Sequence, residues 1–587
     1  MPTLFESLLI APPPAPTPPS PPPPTPTSPE TGAPPALRVI HLETEQNDEE
    51  RRRQISVNKY GGFCVHAIIA GMLCIMLLVL FCAAPIGQDD LLDKSTAERL
   101  ERQRRYFEAK EERLRLGGRM EMSPLEEVAN GRLMAVKMVD DEVHNLWKNY
   151  HSQPPPFLRH HNISETDLYG LLRSMPKGGL LHIHDSGMMR VDILIGLTYQ
   201  DSLWVCVNGD QGFEDFRFSK TYPHIQPSGD EDYQCTWMLL SNFFQYENRT
   251  VYKAKLRECL VVRPEGYASS SELARHLRRA QRLIHGLVTY YPLWSNFLGC
   301  MLQDFYDDGV QYVELRSSLP ILYDLEGTNF TILDTASSMI NAVRVFQNTR
   351  RDFIGVKLIY APSRDYNDSR IDQYLENARL LKAHYPDFFA GFDLNTFGDE
   401  CSLPLLGRAT QLLNVGKNID FYFHAGESKC PDSYRPDANL IDAFLLDSKR
   451  LGNSLNIPLH PEIMKALKSL QIAVELCPLS NHYLQFFNDF RQHPAAYLIA
   501  AGFPVVIGSD YPYFWNSAPL TDDFYVTFVG VVSGFNNLRV LKQLALNSFL
   551  YSSLSHSERR MAMAKWHCSW NRWIKNFVNN DKFKDAA

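Results

Sequence analysis

Cysteine is sparse in this chain, and no two cysteines form a Cys-x-x-Cys pair. The 587 residues include 11 cysteines, which argues against a disulfide-based small scaffold and against a structural zinc ribbon. Basic charge is not in excess either, because the net charge is -8. Non-specific nucleic-acid binding needs clustered Lys and Arg, so no nucleic-acid partner is expected.

Charged residues are missing from one long apolar run, which extends from Gly61 to Gln88. A run of this length can cross the hydrocarbon core of a bilayer as a helix. A Pro-rich tract at 11–36 and a basic cluster at 51–59 precede it, and two aspartates at 89–90 follow it. Basic residues on the N-terminal side favour a cytoplasmic N-terminus.

These features predict a disordered, Pro-rich cytoplasmic tail at 1–59 and a single transmembrane or signal-anchor helix at 60–88. The remainder of the chain would then lie outside the cytosol. A cleaved signal peptide, with Cys82 and Ala84 near the cleavage site, predicts the same topology. A buried core helix is a further alternative for the apolar run.

Glycosylation sequons support passage through the secretory pathway. In that compartment Cys206 and Cys235, which flank a polar segment within an insertion around 200–260, can form a disulfide, the alternative being two unpaired thiols. The four predicted glycosylation sites are Asn162, Asn248, Asn329 and Asn367.

Short apolar segments separated by helical stretches follow a helical N-terminal extension at 89–150. Eight such segments predict an α/β fold, a (β/α)8 TIM barrel over 151–580. A doubly wound open sheet is the alternative, but no Gly-x-Gly-x-x-Gly or Walker sequence follows a strand. The predicted strands are Leu180–Ile183, Val310–Leu315, Gly355–Tyr360, Ala390–Leu394, Ile419–Phe423, Lys449–Leu451, Ile472–Leu476 and Pro504–Ile507.

Metal-ligating residue types stand where three of these strands end. His182 and His184 are two residues apart on the first strand, so both side chains point the same way. His424 and Glu427 end the fifth strand, and Asp510 follows the eighth. Three neutral imidazoles and one carboxylate form a suitable ligand set for a zinc ion that keeps one position open.

The order of the motifs resembles that of the adenosine deaminases. The leading helical region, the insertion around Cys206 and Cys235, and the segment Leu541–Ser548 are similar to the secreted adenosine deaminase-related growth factors. The four motifs are Met175-Pro-Lys-Gly-Gly-Leu-Leu-His-Ile-His-Asp185, His424-Ala-Gly-Glu427, Cys477-Pro-Leu-Ser-Asn481 and Gly508-Ser-Asp510.

The resemblance implies a role in deamination for several residues. Glu427 would move the proton, and Asp185 would brace the first strand or contact ribose. Trp294 would lie near the nucleoside, the alternative being core packing. The resemblance also implies a purine nucleoside substrate, a homodimer through residues 92–148 and a cell-surface receptor as partner. The zinc ligands would be His182, His184, His424 and Asp510.

Several positions in the pocket depart from the family pattern. Asn453 replaces the second catalytic histidine in Arg450-Leu-Gly-Asn-Ser454, and an amide cannot take up a proton. Tyr511 replaces the second acid of an Asp-Asp-Pro motif, where its ring would take space from the nucleobase. Thr396 stands where the family has a glycine. His460 or His482 are candidates to replace the missing histidine, the alternative being surface histidines.

Three functions are compatible with this pattern. One is a zinc-dependent deaminase of adenosine or 2′-deoxyadenosine with much reduced turnover. A second is a non-catalytic extracellular signalling or scaffold protein that retains zinc. A third is a related hydrolase whose pocket takes a different nucleoside or base. The intact ligands favour the first and third, and Asn453 with Tyr511 favours the second.

Overall fold

A computed structural model of the chain describes most of the region after the apolar run. The predicted tail at 1–59 and the predicted anchor at 60–88 lie outside the described residues, as do Asn162, Asn367 and Thr396. No helix within the described part is long and apolar enough to cross a membrane. The described residues are 94–144, 163–209, 212–224, 235–246, 248–263, 267, 269–363, 370–395, 405–427, 438–487, 489–532 and 536–586.

After residue 178 each strand is followed by one or more helices, except within a run of three successive strands between 203 and 239. In chain order they are β1 (Gly178–His184), β2 (Leu203–Asn208), β3 (Gly212–Phe218), β4 (Thr236–Leu239), β5 (Val310–Ser317), β6 (Gly355–Tyr360), β7 (Phe389–Phe392), β8 (Arg450–Gly452), β9 (Ala473–Leu476) and β10 (Val505–Ile507).

The parallel strands close into a barrel. β1, β5, β6 and β7 form one sheet in that order, and β8, β9 and β10 form another. Parallel bridges from Phe392 to Phe421 and from His424 to Gly452 join the two sheets on one side. A parallel bridge from Ile183 to Asp510 joins them on the other. The open doubly wound sheet is therefore wrong, and the eight-segment barrel is confirmed.

The predicted fifth strand, Ile419–Phe423, is not a continuous strand. Its place is taken by the segment 421–424, which pairs with its neighbours only through isolated bridges. Side chains take the backbone N–H groups that a ladder would use. Ser448 Oγ accepts from Phe423 N at 3.1 Å, and Asp393 Oδ1 accepts from His424 N at 3.1 Å. These two bonds fix the backbone that carries His424.

Helices connect the strands and extend the chain at both ends. In chain order they are α1 (Lys94–Leu114), α2 (Pro124–His144), α3 (Asp167–Ser174), α4 (Val191–Leu197), α5 (Leu240–Tyr246), α6 (Arg249–Leu260), α7 (Ser270–Val288), α8 (Tyr291–Asp307), α9 (Ile332–Thr349), α10 (Ile371–His384), α11 (Ala409–Gly416), α12 (Ala438–Leu445), α13 (Pro461–Leu470), α14 (Pro478–Tyr483), α15 (Ala495–Ala500), α16 (Thr521–Tyr525), α17 (Leu538–Leu550) and α18 (His556–Asn579).

The helical N-terminal extension is present as α1 and α2. Residues 94–108 belong to one compact unit and residues 109–586 to another. Within the second unit, α2 buries Ala129, Leu133 and Val136. Trp570 on α18 donates from Nε1 to Glu126 Oε1 at 2.7 Å. The α2 helix is therefore fastened to the barrel at its own N-terminus.

The insertion between β1 and β5 carries an antiparallel sheet in the order β3, β2, β4. Cys206 on β2 and Cys235, next to β4, form a disulfide with a Cα–Cα distance of 5.5 Å. That is a normal separation for a disulfide, so the sheet needs no distortion to form it. Of the predicted glycosylation sites, Asn248 and Asn329 are described, and both are exposed.

Candidate metal centre and active site

Three histidines meet where the barrel strands end. His182 and His184 are on β1, and His424 lies on the segment 421–424; all three are buried. The Nε2 atoms of His182 and His424 are 3.1 Å apart. One ligand atom from each of the three imidazoles lies within 4.8 Å of the others. The structure thus brings together the three histidines that the sequence predicts as ligands.

Asp510 joins the cluster from the end of β10. Its Oδ1 is 3.4 Å from His184 Nε2 and 3.6 Å from His182 Nε2. Its φ of 59° lies in the left-handed region, which Asp tolerates better than most residues. Ser480 Oγ donates to the other carboxylate oxygen at 2.6 Å. The fourth predicted ligand therefore lies beside the imidazoles with one oxygen already engaged.

Two buried carboxylates orient the imidazoles from behind. Glu475 Oε2 is 2.8 Å from His182 Nδ1, and Asp393 Oδ2 is 2.7 Å from His424 Nδ1. Each carboxylate fixes a proton on Nδ1, so the Nε2 lone pairs of His182 and His424 face each other. Burial alone would raise the pKa of both acids, but neighbouring positive charges and hydrogen bonds hold it well below the usual value.

The positive charges come from two arginines inside the barrel. Arg316 donates to Asp393 at 2.9 Å and to Glu475 at 2.7 Å. Arg450 donates to Glu475 at 2.6 Å and to Glu314 at 2.5 Å. Sequence reasoning missed all five residues. The available signal was a charged residue inside an otherwise apolar strand, as in Val-Glu-Leu of β9.

The donor set fits a divalent metal ion. Burial lowers the pKa of His184 well below its ordinary value and also lowers that of His424, so both rings stay neutral. Among the described residues, none is a hydrogen-bond partner of the buried His184 Nε2. Facing lone pairs and an unpaired buried nitrogen both cost free energy, which a bound cation would recover. Histidines backed by carboxylates are the usual arrangement around zinc.

Comparison with known proteins shows the family. A profile described as Adenosine deaminase matches residues 299–565, and one described as Adenosine/AMP deaminase N-terminal matches residues 73–172. An adenosine deaminase of Lutzomyia longipalpis is 36% identical over 492 residues, which cover 82% of this chain and 94% of that protein. Adenosine deaminase 2 of Homo sapiens is 32% identical over 482 residues, covering 80% and 92%. Adenosine deaminase 2 of Sus scrofa is 32% identical over 488 residues, covering 81% and 93%.

The chain belongs to the adenosine deaminase-related growth factor family. His424, Glu427 and Asp510 fall inside the longer profile match, whereas His182 and His184 lie between the two matches. It is the geometry of the cluster that places the two histidines of β1 beside residues inside the longer match.

Asp185 and Glu427 lie at the same end of the barrel. Ser317 Oγ donates to Asp185 Oδ2 at 2.5 Å, which ties the end of β1 to the end of β5. Burial raises the pKa of Asp185 to about 6. Glu427 is half-buried, and its charge helps to raise the pKa of Tyr511. The charges of both acids act on Tyr511, so both lie near that side chain.

Tyr511 fills space directly against a metal-site histidine. Its ring is stacked on His184 with centroids 4.6 Å apart and planes 12° apart. Asn395 Nδ2 donates to the Tyr511 hydroxyl at 3.1 Å. Burial, followed by the charge of Asp510, raises the pKa of Tyr511 well above its usual value. The phenol is therefore neutral and held in place where the family has an acid.

Asn453 is fully buried at the end of β8 and adopts a left-handed φ of 47°. A Cβ on the preceding Gly452 would lie 3.2 Å from His182 Cε1 and 3.3 Å from the His424 ring. Asn453 therefore follows a residue that packs against the imidazoles. Neutral amides neither gain nor lose protons near pH 7, so Asn453 supplies no acid–base group here.

The remaining predicted residues have contacts typical of packing. Trp294 on α8 is buried and stacked on Phe297, with centroids 5.6 Å apart. His482 Nδ1 faces the Phe487 carbonyl oxygen at 3.1 Å, and burial lowers the pKa of His482 to about 4. His460 immediately precedes α13. The contact of His482 is therefore with a main-chain oxygen.

Proposed function

We propose that the chain is a zinc-dependent, adenosine deaminase-like hydrolase with strongly reduced turnover. Its substrates would be adenosine or 2′-deoxyadenosine, converted with water to inosine or deoxyinosine and ammonia. The observation that carries the proposal is the meeting of three buried imidazoles and Asp510, with carboxylates behind His182 and His424. His182, His184, His424 and Asp510 would hold the metal.

Zinc at this position would supply Lewis acidity and favour ionisation of water at neutral pH. Glu475 and Asp393 keep Nδ1 of His182 and His424 protonated, so Nε2 of each ring stays available for the metal. Glu427 would move a proton to purine N1, which makes the ring carbon more electrophilic. Asp185 would hold β1 in place through Ser317 or accept a hydrogen bond from ribose.

Reduced turnover follows from two of the departures from the family pattern, Asn453 and Tyr511. Replacing a general acid–base group with an amide costs about 10²–10⁴ in rate. Replacing a buried hydrogen-bonding acid costs on the order of 1–3 kcal/mol, and the Tyr511 ring takes volume as well. The stacking of Tyr511 on His184 supports this second loss.

The same observation favours a second candidate, a non-catalytic extracellular signalling or scaffold protein that retains zinc. The stacked Tyr511 ring lies where a nucleobase would approach His184. Asn453 removes the proton acceptor beside the metal. In this case the zinc bound by the histidine cluster would only stabilise the fold, and adenosine would not be converted to inosine.

Ammonia release by the purified full-length chain, loaded with zinc, separates the two candidates. We expect low but measurable turnover of adenosine, and an increase in the Asn453→His, Tyr511→Asp double variant. The increase should reach about 10²–10⁴-fold, because it restores an acid–base group. The control is His482→Asn, which alters a buried histidine that contacts Phe487 instead. No turnover in either the wild type or the double variant favours the scaffold, and wild-type turnover at ordinary enzyme rates contradicts the proposal.

The location and assembly of the chain are part of the proposal. We place the barrel outside the cytosol, after an anchor or cleaved signal at 60–88, with a cell-surface receptor as a partner. Exposed Asn248 and Asn329 support this location. We also propose a homodimer through residues 92–148, supported by Val128, Met138 and Val139, which are exposed on α2. Sedimentation equilibrium of the full-length chain tests the dimer, and a monomer at micromolar concentration would contradict it.

A further inference from the structure

A line of three buried polar side chains leads away from the metal centre. It begins at Asn453 on β8, passes through Asn481 on α14 and ends at His493, just before α15. Asn481 Nδ2 donates to Asn453 Oδ1 at 3.2 Å. His493 Nε2 lies 3.2 Å from Asn481 Oδ1. All three side chains are buried, with at most 1% of the residue exposed.

His493, at the far end of this line, determines which atom donates in each hydrogen bond. The backbone N–H of Ala495 donates to His493 Nδ1 at 3.0 Å, so this nitrogen is the acceptor of the ring. Burial lowers the pKa of His493 to about 3, and the ring is therefore neutral at pH 7. A neutral imidazole has one N–H, which must then be on Nε2. His493 consequently donates to Asn481 Oδ1.

The donor-to-acceptor direction set by His493 also fixes the orientation of the two asparagine amides. Because the Asn481 oxygen faces His493, its NH2 group faces Asn453, as the 3.2 Å contact to Asn453 Oδ1 requires. Asn453 Nδ2 is then left at the other end of the line. It is buried and has no hydrogen-bond partner within the described residues.

The backbone of the residue that carries the unpaired donor lies next to the candidate metal centre. Asn453 follows Gly452, whose main chain pairs with His424. Its own backbone N donates to the Glu475 carbonyl oxygen at 2.9 Å, and Glu475 is the residue behind His182. A buried donor without a partner costs free energy, which an acceptor atom on a ligand would recover.

We propose that Asn481 and His493 are positioning residues, which hold Asn453 as a hydrogen-bond donor, and that the site therefore prefers 6-oxopurine nucleosides to 6-aminopurine nucleosides. The inference rests on the proposed function, in which purine C6 lies beside the metal. An oxygen on C6 accepts a hydrogen bond from Asn453, whereas the amino group of adenosine presents a donor to a donor.

Equilibrium binding of inosine and adenosine to the full-length, zinc-loaded chain tests the proposal. Released ammonia is measured in parallel to correct for turnover. We expect inosine to bind about ten-fold more tightly than adenosine, the effect of one well-placed neutral hydrogen bond. The readout is the ratio of the two dissociation constants, because a general loss of folding would weaken both.

Two substitutions at one position separate positioning from packing. In His493→Gln the side-chain amide reaches the place of Nε2 and keeps a donor toward Asn481, so the preference for inosine should persist. In His493→Asn the shorter amide reaches only the place of Nδ1. Asn481 Oδ1 then has no donor, and the Asn481 side-chain amide can rotate by half a turn. The preference should then fall to about two-fold or less. The control is His482→Asn, in the same region but outside the line, which should keep the wild-type ratio.

Each outcome has a distinct meaning. A preference for inosine that is lost only in His493→Asn supports the positioning line. Nucleoside binding with no preference for inosine, or with the same preference in His493→Asn, overturns the line and leaves the proposed function standing. Absence of binding for both nucleosides overturns the proposed function and this inference with it.

Discussion

At the scale of single residues, the proposed metal binding would depend on acids that do not touch the metal. Glu475 and Asp393 engage Nδ1 of His182 and His424, at 2.8 and 2.7 Å. In turn, Arg316 joins the two acids to each other. The position of each Nε2 atom is therefore set by a buried network of charges, which is stable only while every member keeps its partner.

Glu475→Gln should lower zinc affinity by about 10–100-fold, since it removes the acid that orients His182. It should also lower the free energy of unfolding by about 3–5 kcal/mol, because two buried arginines lose a charge partner. A chelator competition titration and a urea melt measure the two effects.

Glu314→Gln provides the matched control. Glu314 is equally buried and pairs with Arg450, and it also accepts hydrogen bonds from the Tyr312 hydroxyl and the Ser553 backbone N–H. We expect a similar loss of stability with wild-type zinc affinity. Equal zinc affinity in the two variants would show that the carboxylate behind His182 does not tune the metal site.

The cluster of three histidines and Asp510 was predictable from the sequence because these residues stand at or near strand ends, where parallel strands of a barrel bring their side chains together. The acids and arginines behind them were not, since a charged residue within an apolar strand has no partner that the sequence specifies. Asn453 shows the same limit. Its lost acid–base role follows from residue type alone, but the direction of its amide depends on His493, 40 positions further along the chain.

At the scale of elements, the site requires β1 and β10 to approach closely. A Cβ on Gly508, just after β10, would lie 2.6 Å from His182 Cβ and 2.9 Å from Cys477 Sγ. No side chain fits there unless the backbone moves. Strand bounds were predictable to within about two residues because the apolar runs are short and well separated. The irregular 421–424 segment was not, because side chains of distant residues take its N–H groups.

Gly508→Ala should separate β1 from β10, lower the free energy of unfolding by about 1–3 kcal/mol and weaken zinc binding. The control is Gly170→Ala on α3, where a Cβ would have nothing within 4 Å. That change should be neutral or stabilising by up to about 1 kcal/mol, because alanine is the better helix former. Thermal melts and zinc titrations of both variants give the answer, and equal behaviour would argue against a tight strand contact at the metal site.

At the scale of the whole molecule, the barrel, the disulfide-linked insertion and the exposed sequons are consistent with a protein that folds in the secretory pathway. The disulfide between Cys206 and Cys235 needs oxidising conditions to persist. The predicted tail and anchor lie outside the described residues, so the topology of the chain stays a prediction.

Glycan attachment at Asn248 tests that topology. Asn248 is exposed at the start of α6, and its Oδ1 accepts from Thr250 N at 2.7 Å. In cells that express the full-length chain, Asn248→Gln and Thr250→Ala should each remove one glycan, seen as a faster band before but not after endoglycosidase treatment. Thr250→Ala keeps the asparagine cap of the helix, so it separates glycan loss from helix fraying. Unchanged mobility in both variants would contradict an extracytosolic site at Asn248.

The most direct test of the metal centre is the zinc content of the purified full-length chain, measured by inductively coupled plasma mass spectrometry after gel filtration. We expect about one zinc per chain in the wild type and in His482→Asn, since a three-histidine, one-acid site binds a single ion. In His182→Ala and in His424→Ala we expect a zinc content far below one ion per chain. A wild-type chain that is folded but free of zinc, or a His182→Ala chain with full zinc content, would contradict a metal centre at the mouth of the barrel.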